Sequence, residues 1–320
     1  MAERSPAPVP ATVSPEMQAL IAAPLNPIWK QRPTTTEGWK SLVDSAAALP
    51  LARLPGLCDR LRVRFERTTV GGARAFAVTP EVVAPRNVSR LLIHIHGGCY
   101  VLHPGEAGLP EAIYMAAFGG FRVLSIDYRM PPEAFFPAAL DDCVSAWKST
   151  METVSPDRAA VFGTSAGGAL TLALILRAKQ EGLPLPAAIA SGTPMSDVTK
   201  TGDTFYTNEL VDNVLVSRDG FCDAATRFYA NGHDLADPLL SPVYGDMGGF
   251  PPTILTSGTR DLLLSNTVRV HRKLRQAGVD AALHVYEGQS HAHYIFNESA
   301  PETREAFEEI ADFFDRRLAT

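Results

Sequence analysis

The sequence predicts an α/β fold, a mainly parallel sheet with helices on both faces. Three observations predict it. Short, almost wholly apolar runs such as RLLIHIH (Arg90–His96) and FRVLSID (Phe121–Asp127) read as strands buried on both faces. Helical stretches alternate with them along most of the chain. The segment Asp157–Leu170, DRAAVFGTSAGGAL, joins a short apolar run to an apolar helix through the sharp turn Gly163-Thr164-Ser165-Ala166-Gly167.

Length and composition suit this class. The chain has 320 residues, 46% hydrophobic and 20% charged, which allows one large domain with an insertion. Its 29 basic and 35 acidic residues give a net charge of −6, spread without long runs. That argues against nucleic acid as a partner and against a basic membrane-docking patch. No stretch has the length and apolarity of a transmembrane helix, and the start of the chain lacks the apolar core of a signal peptide. Cys58, Cys99, Cys143 and Cys222 show no C-x-x-C spacing, so reduced thiols in a cytoplasmic protein are expected.

Taken in order, residues 1–15 are rich in Pro and Ala and are expected to be disordered at the start. Pro15-Glu16 opens a helix with Met17, Leu20 and Ile21 on one side. A second helix is read over residues 34–49, capped by Thr35 or Thr36, with Trp39, Leu42 and Val43 as its apolar side. Leu61–Val70 and Ala73–Thr79, around Gly71-Gly72, read as a β-hairpin. The strand Arg90–His96, the strand Phe121–Asp127 and an amphipathic helix at Pro137–Glu152 follow. Next come the strand Ala159–Phe162, the helix Ser165–Gln180 and the strand Leu185–Ser191. Residues 197–230 break the rhythm, with no strong strand and one or two short helices, including Arg218–Tyr229. The alternation resumes with a strand at Pro252–Ser257, a helix at Leu263–Ala277, a strand at Ala281–Glu287 and a closing helix at Glu302–Leu318. The division expected is a catalytic domain of residues 51–196 and 231–320, with residues 1–50 and 197–230 forming a helical cap.

In parallel sheets sites form at the carboxyl ends of strands, and the chemical candidates fall there. Ser165 sits in a G-x-S-x-G turn between strand and helix, where only small neighbours fit and where the helix N-terminus favours negative charge. His96-Gly97-Gly98 follows an earlier strand. Backbone N–H groups of Gly97 and Gly98, with that of Ala166, suit an oxyanion hole. Asp261 follows the strand PTILTSGT, and His291 follows AALHVYE. Ser165 is then the nucleophile, His291 the general base and Asp261 the group that orients the imidazole. Alternatives exist: Asp261 as a helix cap, and His293 as a rival to His291. His96 is expected to brace its loop. His94 and His284 lie in strands and read as structural, and Asp280 precedes a strand, which suits an acid poorly. No metal-ligand set, G-x-G-x-x-G or P-loop is present, so chemistry without cofactor or metal is expected.

With these residues in hand, the sequence resembles the hormone-sensitive lipase family, most closely its bacterial esterases. The resemblance is carried by His96-Gly97-Gly98, Tyr128–Glu133 (YRMPPE), Phe136–Asp142 (FPAALDD), Gly163–Gly168 (GTSAGG), Asp237–Pro242 (DPLLSP) and the Asp261 and His291 segments. Thr164 resembles the branch with Thr before the nucleophile. The resemblance implies an α/β-hydrolase fold with an eight-stranded, mostly parallel sheet and a cap built from the N-terminal helices and the insertion. It implies hydrolysis of short- to medium-chain carboxylic esters through an acyl-enzyme, no cofactor, and commonly a homodimer. An amide or carbamate hydrolase would use the same residues, and a small-molecule receptor is the non-catalytic alternative. Three departures stand out. Cys99 replaces a usual Gly or Ala and puts a thiol by the oxyanion loop, open to inhibition by oxidation. Leu262 follows Asp261 where the family has Pro. Met195 stands where Trp is usual, which suggests a different pocket wall. Cys99, Tyr100 and Met195 are accordingly assigned to the substrate pocket.

Overall fold

A computed structural model describes residues 8–319. Its strands are β1 (Val63–Val70), β2 (Ala73–Pro80), β3 (Leu91–Ile95), β4 (Val123–Ile126), β5 (Ala159–Thr164), β6 (Ala188–Gly192), β7 (Thr253–Gly258) and β8 (Ala281–Tyr286). They form one eight-stranded sheet in the order β1-β2-β4-β3-β5-β6-β7-β8. Only the pairings of β2 with β1 and β4 are antiparallel, so β2 alone runs against the rest. The β1–β2 hairpin closes through Gly71 and Gly72, both at positive φ (58° and 82°), the backbone a tight two-residue turn demands.

The helices are α1 (Pro15–Ile21), α2 (Thr36–Leu61), α3 (Pro110–Gly119), α4 (Ala138–Thr150), α5 (Ala166–Gln180), the single turn α6 (Thr204–Thr207), α7 (Asp223–Ala230), α8 (Leu264–Gln276) and α9 (Pro301–Asp315). Two apolar layers sandwich the sheet. One holds Leu140, Trp147, Leu170, Leu174 and Leu274 of α4, α5 and α8. The other holds Ile113, Met115, Phe307, Ile310 and Phe314 of α3 and α9.

Four local expectations need adjustment. The helix α3 was not anticipated: Glu111–Ala116 are all buried, so no polar face marks its period. α2 runs on through Pro50 and Pro55, where the sequence reading stops at Leu49. Each proline removes one helical hydrogen bond, but Leu54 and Leu57 beyond them are buried in the core. The boundary read at residues 50–51 therefore falls inside one helix. β6 starts at Ala188, because Pro184 and Pro186 cannot donate to a sheet. Finally, of the Pro/Ala-rich start, residues 1–7 lie outside the described residues, while residues 8–14 are anchored. Thr12 Oγ1 donates to Glu287 Oε2 (2.5 Å), and Ser14 caps α1 while donating to Glu302 Oε2 (2.7 Å).

The strand order places the site. From β3 the chain passes to β4 on one side, then crosses to β5 on the other. The loops leaving β3 and β5 therefore diverge, and a crevice opens at their carboxyl ends. The turn after β5 presses against β3: a Cβ on Gly163 or Gly167 would sit 2.2 or 1.9 Å from the Ile95 carbonyl oxygen. Only glycine fits at either position.

Candidate active site

Ser165 lies in that crevice with φ 63° and ψ −120°, a backbone region sparsely populated by side-chain-bearing residues. The turn is held by the Ser165 N–H donating to Gly192 O (2.8 Å) and by the Met195 N–H donating to Ser165 O (3.0 Å). α5 begins at the next residue, so its free N–H groups point toward the serine.

The loop after β3 comes beside it. A Cβ on Gly97 would stand 3.2 Å from Ser165 Cβ, and Gly98 has φ +122°. Among the described residues, the N–H groups of Gly97, Gly98 and Ala166 donate to no other group. They are thus available to an oxyanion. His96 braces this loop. Its ring stacks on Tyr128 at 4.2 Å, and its Nδ1 donates to Gly97 O (2.8 Å). Burial holds its pKa down at about 3, so it stays neutral through the pH range of ester hydrolysis.

Asp261 and His291 are brought together at the ends of β7 and β8. His291 Nδ1 lies 3.1 Å from Asp261 Oδ1, with both side chains almost fully buried. Burial works against the Asp261 carboxylate, but His291, Ser257 and Thr193 outweigh it and hold its pKa below the usual range. Burial likewise opposes the His291 imidazolium, and Asp261 outweighs that, raising its pKa. His291 Nε2 is buried with no partner, and His291 and Ser165 line the same cavity. Asp261 Oδ1 also accepts from the Leu263 N–H (2.8 Å), but α8 begins only at Leu264 and carries no side-chain cap, so Asp261 is not its N-cap.

His293 is excluded by its bonds. Its Nε2 donates to Asn213 Oδ1 (2.9 Å), and its Nδ1 accepts from the Ser290 N–H (3.2 Å). Burial, then the His291 charge, lowers its pKa to about 4. His94 is fixed between Ser125 (2.8 Å) and Glu111 (3.1 Å), and His284 pairs with Glu309 (2.5 Å). Asp280 pairs with Arg317, away from the serine.

Several residues around the site escape sequence reasoning. Thr193 hydrogen-bonds both Asp261 and His291 Nδ1 (2.8 Å), and Ser257 donates to Asp261 Oδ2 (2.6 Å). Thr193 follows β6, so the strand-end rule gave a usable signal for it. Asp212 and Asn213, in the strandless insertion, gave none.

Ser165, His291 and the Gly97–Cys99 loop open into a cavity of about 1130 Å³. Its far walls are Ile28, Trp29, Leu42 and Leu49 from the N-terminal segment and Val214, Leu215, Phe221 and Cys222 from the insertion. The two segments touch each other: Trp39 stacks on Phe228 at 4.5 Å. Of the three assigned pocket residues, only Cys99 lines this cavity. Tyr100 instead stacks on Tyr229 at 4.3 Å, and Met195 is buried in the apolar core. Bulky apolar groups beside a strand end look alike in sequence whether they face ligand or core. The neighbouring Cys222 thiol first, and burial second, push the Cys99 thiol well up. Cys99 and Cys222 both line the cavity, and their thiols neighbour each other there. Among the described residues, no group of His, Cys, Asp and Glu side chains is arranged to hold a metal ion.

This site on a mostly parallel eight-stranded sheet defines an α/β-hydrolase. Residues 92–295 match the family described as alpha/beta hydrolase fold, and the chain belongs to it. It is 30% identical to an acetyl-hydrolase of Streptomyces hygroscopicus, over 79% of this chain and 82% of that protein. The crystal structure of an esterase, E25, is 42% identical, covers 100% of this chain and 98% of its own, and superposes with a TM-score of 0.96. An esterase structure from the bacterial hormone-sensitive lipase family is 29% identical, covers 96% of this chain and 99% of its own, with a TM-score of 0.82. The likeness to that family read from the motifs therefore holds across the fold.

Proposed function

We propose that this chain is a serine carboxylesterase acting on short- and medium-chain esters through an acyl-enzyme. The class, a carboxylic ester hydrolase, is supported by the esterases and acetyl-hydrolases it resembles. The mechanism is supported by one observation above all: Ser165 and an unpartnered His291 Nε2, backed by Asp261, line one cavity with the Gly97–Gly98 loop.

Ser165 Oγ attacks the acyl carbon as His291 Nε2 takes its proton. The carbonyl oxygen gains charge and is met by the N–H groups of Gly97, Gly98 and Ala166, each of which lowers the barrier by about 3–4 kcal/mol. The imidazolium, stabilised by Asp261, protonates the departing alkoxide. Water then attacks the acyl-enzyme by the same proton transfers in reverse, releasing the acid and restoring Ser165. The N-terminal segment from residue 8 onward and the insertion of residues 197–230 act as a cap over this chemistry, and their apolar wall takes the ester's hydrocarbon parts. We place the enzyme in the cytoplasm, on the ground that its four cysteines are unpaired, and take its working form to be a homodimer.

A substrate panel tests this reading. p-Nitrophenyl acetate, butyrate and octanoate are expected to turn over well, palmitate poorly, and matched anilides and carbamates far more slowly than esters. Faster turnover of an anilide or carbamate than of its ester would move the enzyme to the amidase class. Binding without turnover of any member would make it a receptor.

A further inference from the structure

We propose that Asp212, in the insertion, is a positioning residue that ties the acid loop and the base loop to the wall of the substrate cavity, and that its neighbour Asn213 seats the N-terminal segment on the same assembly. The proposal rests on the reading of Ser165, His291 and Asp261 as the catalytic residues.

Asp212 is fully buried. Burying a carboxylate is costly unless hydrogen bonds compensate, and four main-chain N–H groups do so here. Oδ1 accepts from Val214 (2.8 Å) and Leu215 (3.1 Å), two residues that line the cavity. Oδ2 accepts from Leu262 (2.8 Å), directly after the catalytic acid, and from His291 itself (3.3 Å). An aspartate needed only to turn its own segment would use the first pair alone. The second pair joins the loops from the ends of β7 and β8 through one carboxylate oxygen.

Asn213 extends the junction. Its N–H donates to Ser290 Oγ (3.2 Å), and its Oδ1 accepts from His293 Nε2 (2.9 Å). Its Nδ2 donates to Leu20 O (2.8 Å) and Ala23 O (3.0 Å), and its carbonyl accepts from the Asn26 N–H (2.9 Å). Two consecutive residues thus link both catalytic loops, the cavity wall and the N-terminal segment.

The link has an electrostatic side. The groups facing His291 are Asp261, Asp212 and Cys222, which favour its charged form. His293 lies beyond it, facing Arg260 as well, and Arg218 faces Cys222. Burial and the nearby Asp261 push the Asp212 carboxyl up to about 6, so above that pH its negative charge supports the imidazolium that forms during catalysis.

Asp212→Asn has nearly the same shape, but its amide can turn only one acceptor toward these four donors. With p-nitrophenyl butyrate, kcat is expected to fall about 10- to 100-fold with KM little changed. The acid limb of kcat/KM, set in the wild type by the raised His291, should move to lower pH because one negative charge has gone. Asn213→Ala should instead act chiefly by raising KM. Wild-type kcat with an unmoved acid limb, or a change confined to KM, in Asp212→Asn would overturn the proposal. Should Asp212→Asn not fold, Asp212→Ser, which keeps one acceptor and admits water, carries the same expectations. Ser165→Ala is the reference: if it retains turnover, the catalytic reading fails first. If it is inactive while Asp212→Asn behaves as wild type, only the positioning role is lost.

Discussion

Ser165→Ala is expected to abolish hydrolysis of p-nitrophenyl acetate and butyrate, lowering kcat by on the order of 10⁵-fold or more. The reason is chemical. The other parts of the site stabilise charge on the substrate and move a proton, but only the Ser165 hydroxyl forms the bond to the acyl carbon. The oxyanion donors survive the substitution, so a small residual rate above water remains. The fold survives too, because the turn is held by main-chain bonds to Gly192 and Met195 and not by the hydroxyl. An unchanged melting temperature beside lost turnover is the expected pair of results. Substantial turnover in the folded variant would refute the nucleophile.

The second large effect separates two histidines two residues apart. His291→Ala should lower kcat by about as much as loss of the serine, since nucleophile and base act as one unit. His293→Ala should lower it far less, and should cost stability instead, by about 1–3 kcal/mol. The substitution leaves the buried Asn213 Oδ1 and the Ser290 N–H without the bonds they now make. Kinetics and thermal melting of both variants check this. A catalytic collapse in His293→Ala alone would reverse the assignment.

The parts of this molecule that could be read from sequence are those whose cause is local. The elbow at Ser165 is specified by five consecutive residues, and the closeness of Gly163 and Gly167 to Ile95 O is the reason they must be glycine. Asp261 and His291 were legible because each follows a strand with a plain apolar pattern. α3 was not, because a helix buried all round shows no period. Nor was the passage of α2 through Pro50, where packing of Leu54 and Leu57 overrides a local stop signal. Asp212 lies in a segment without strands and acts across 50 and 79 residues of sequence. Its role exists only once the loops have been brought together. The displacement of Tyr100 and Met195 from the pocket to the core has the same origin: side-chain direction at a loop is set by tertiary packing.

The most direct test of the central claim is to trap the acyl-enzyme analogue. An excess of a dialkyl p-nitrophenyl phosphate is incubated with the enzyme, and the inactivated protein is digested and mapped by mass spectrometry. Attack by Ser165 Oγ on phosphorus displaces p-nitrophenolate and leaves a stable phosphoserine ester. The expected result is one dialkylphosphoryl group per chain, on the peptide carrying Gly163-Thr164-Ser165-Ala166-Gly167, with release of p-nitrophenolate matching the loss of activity. Inactivation with the group on any other residue, or full activity after Ser165 has been modified, would contradict it.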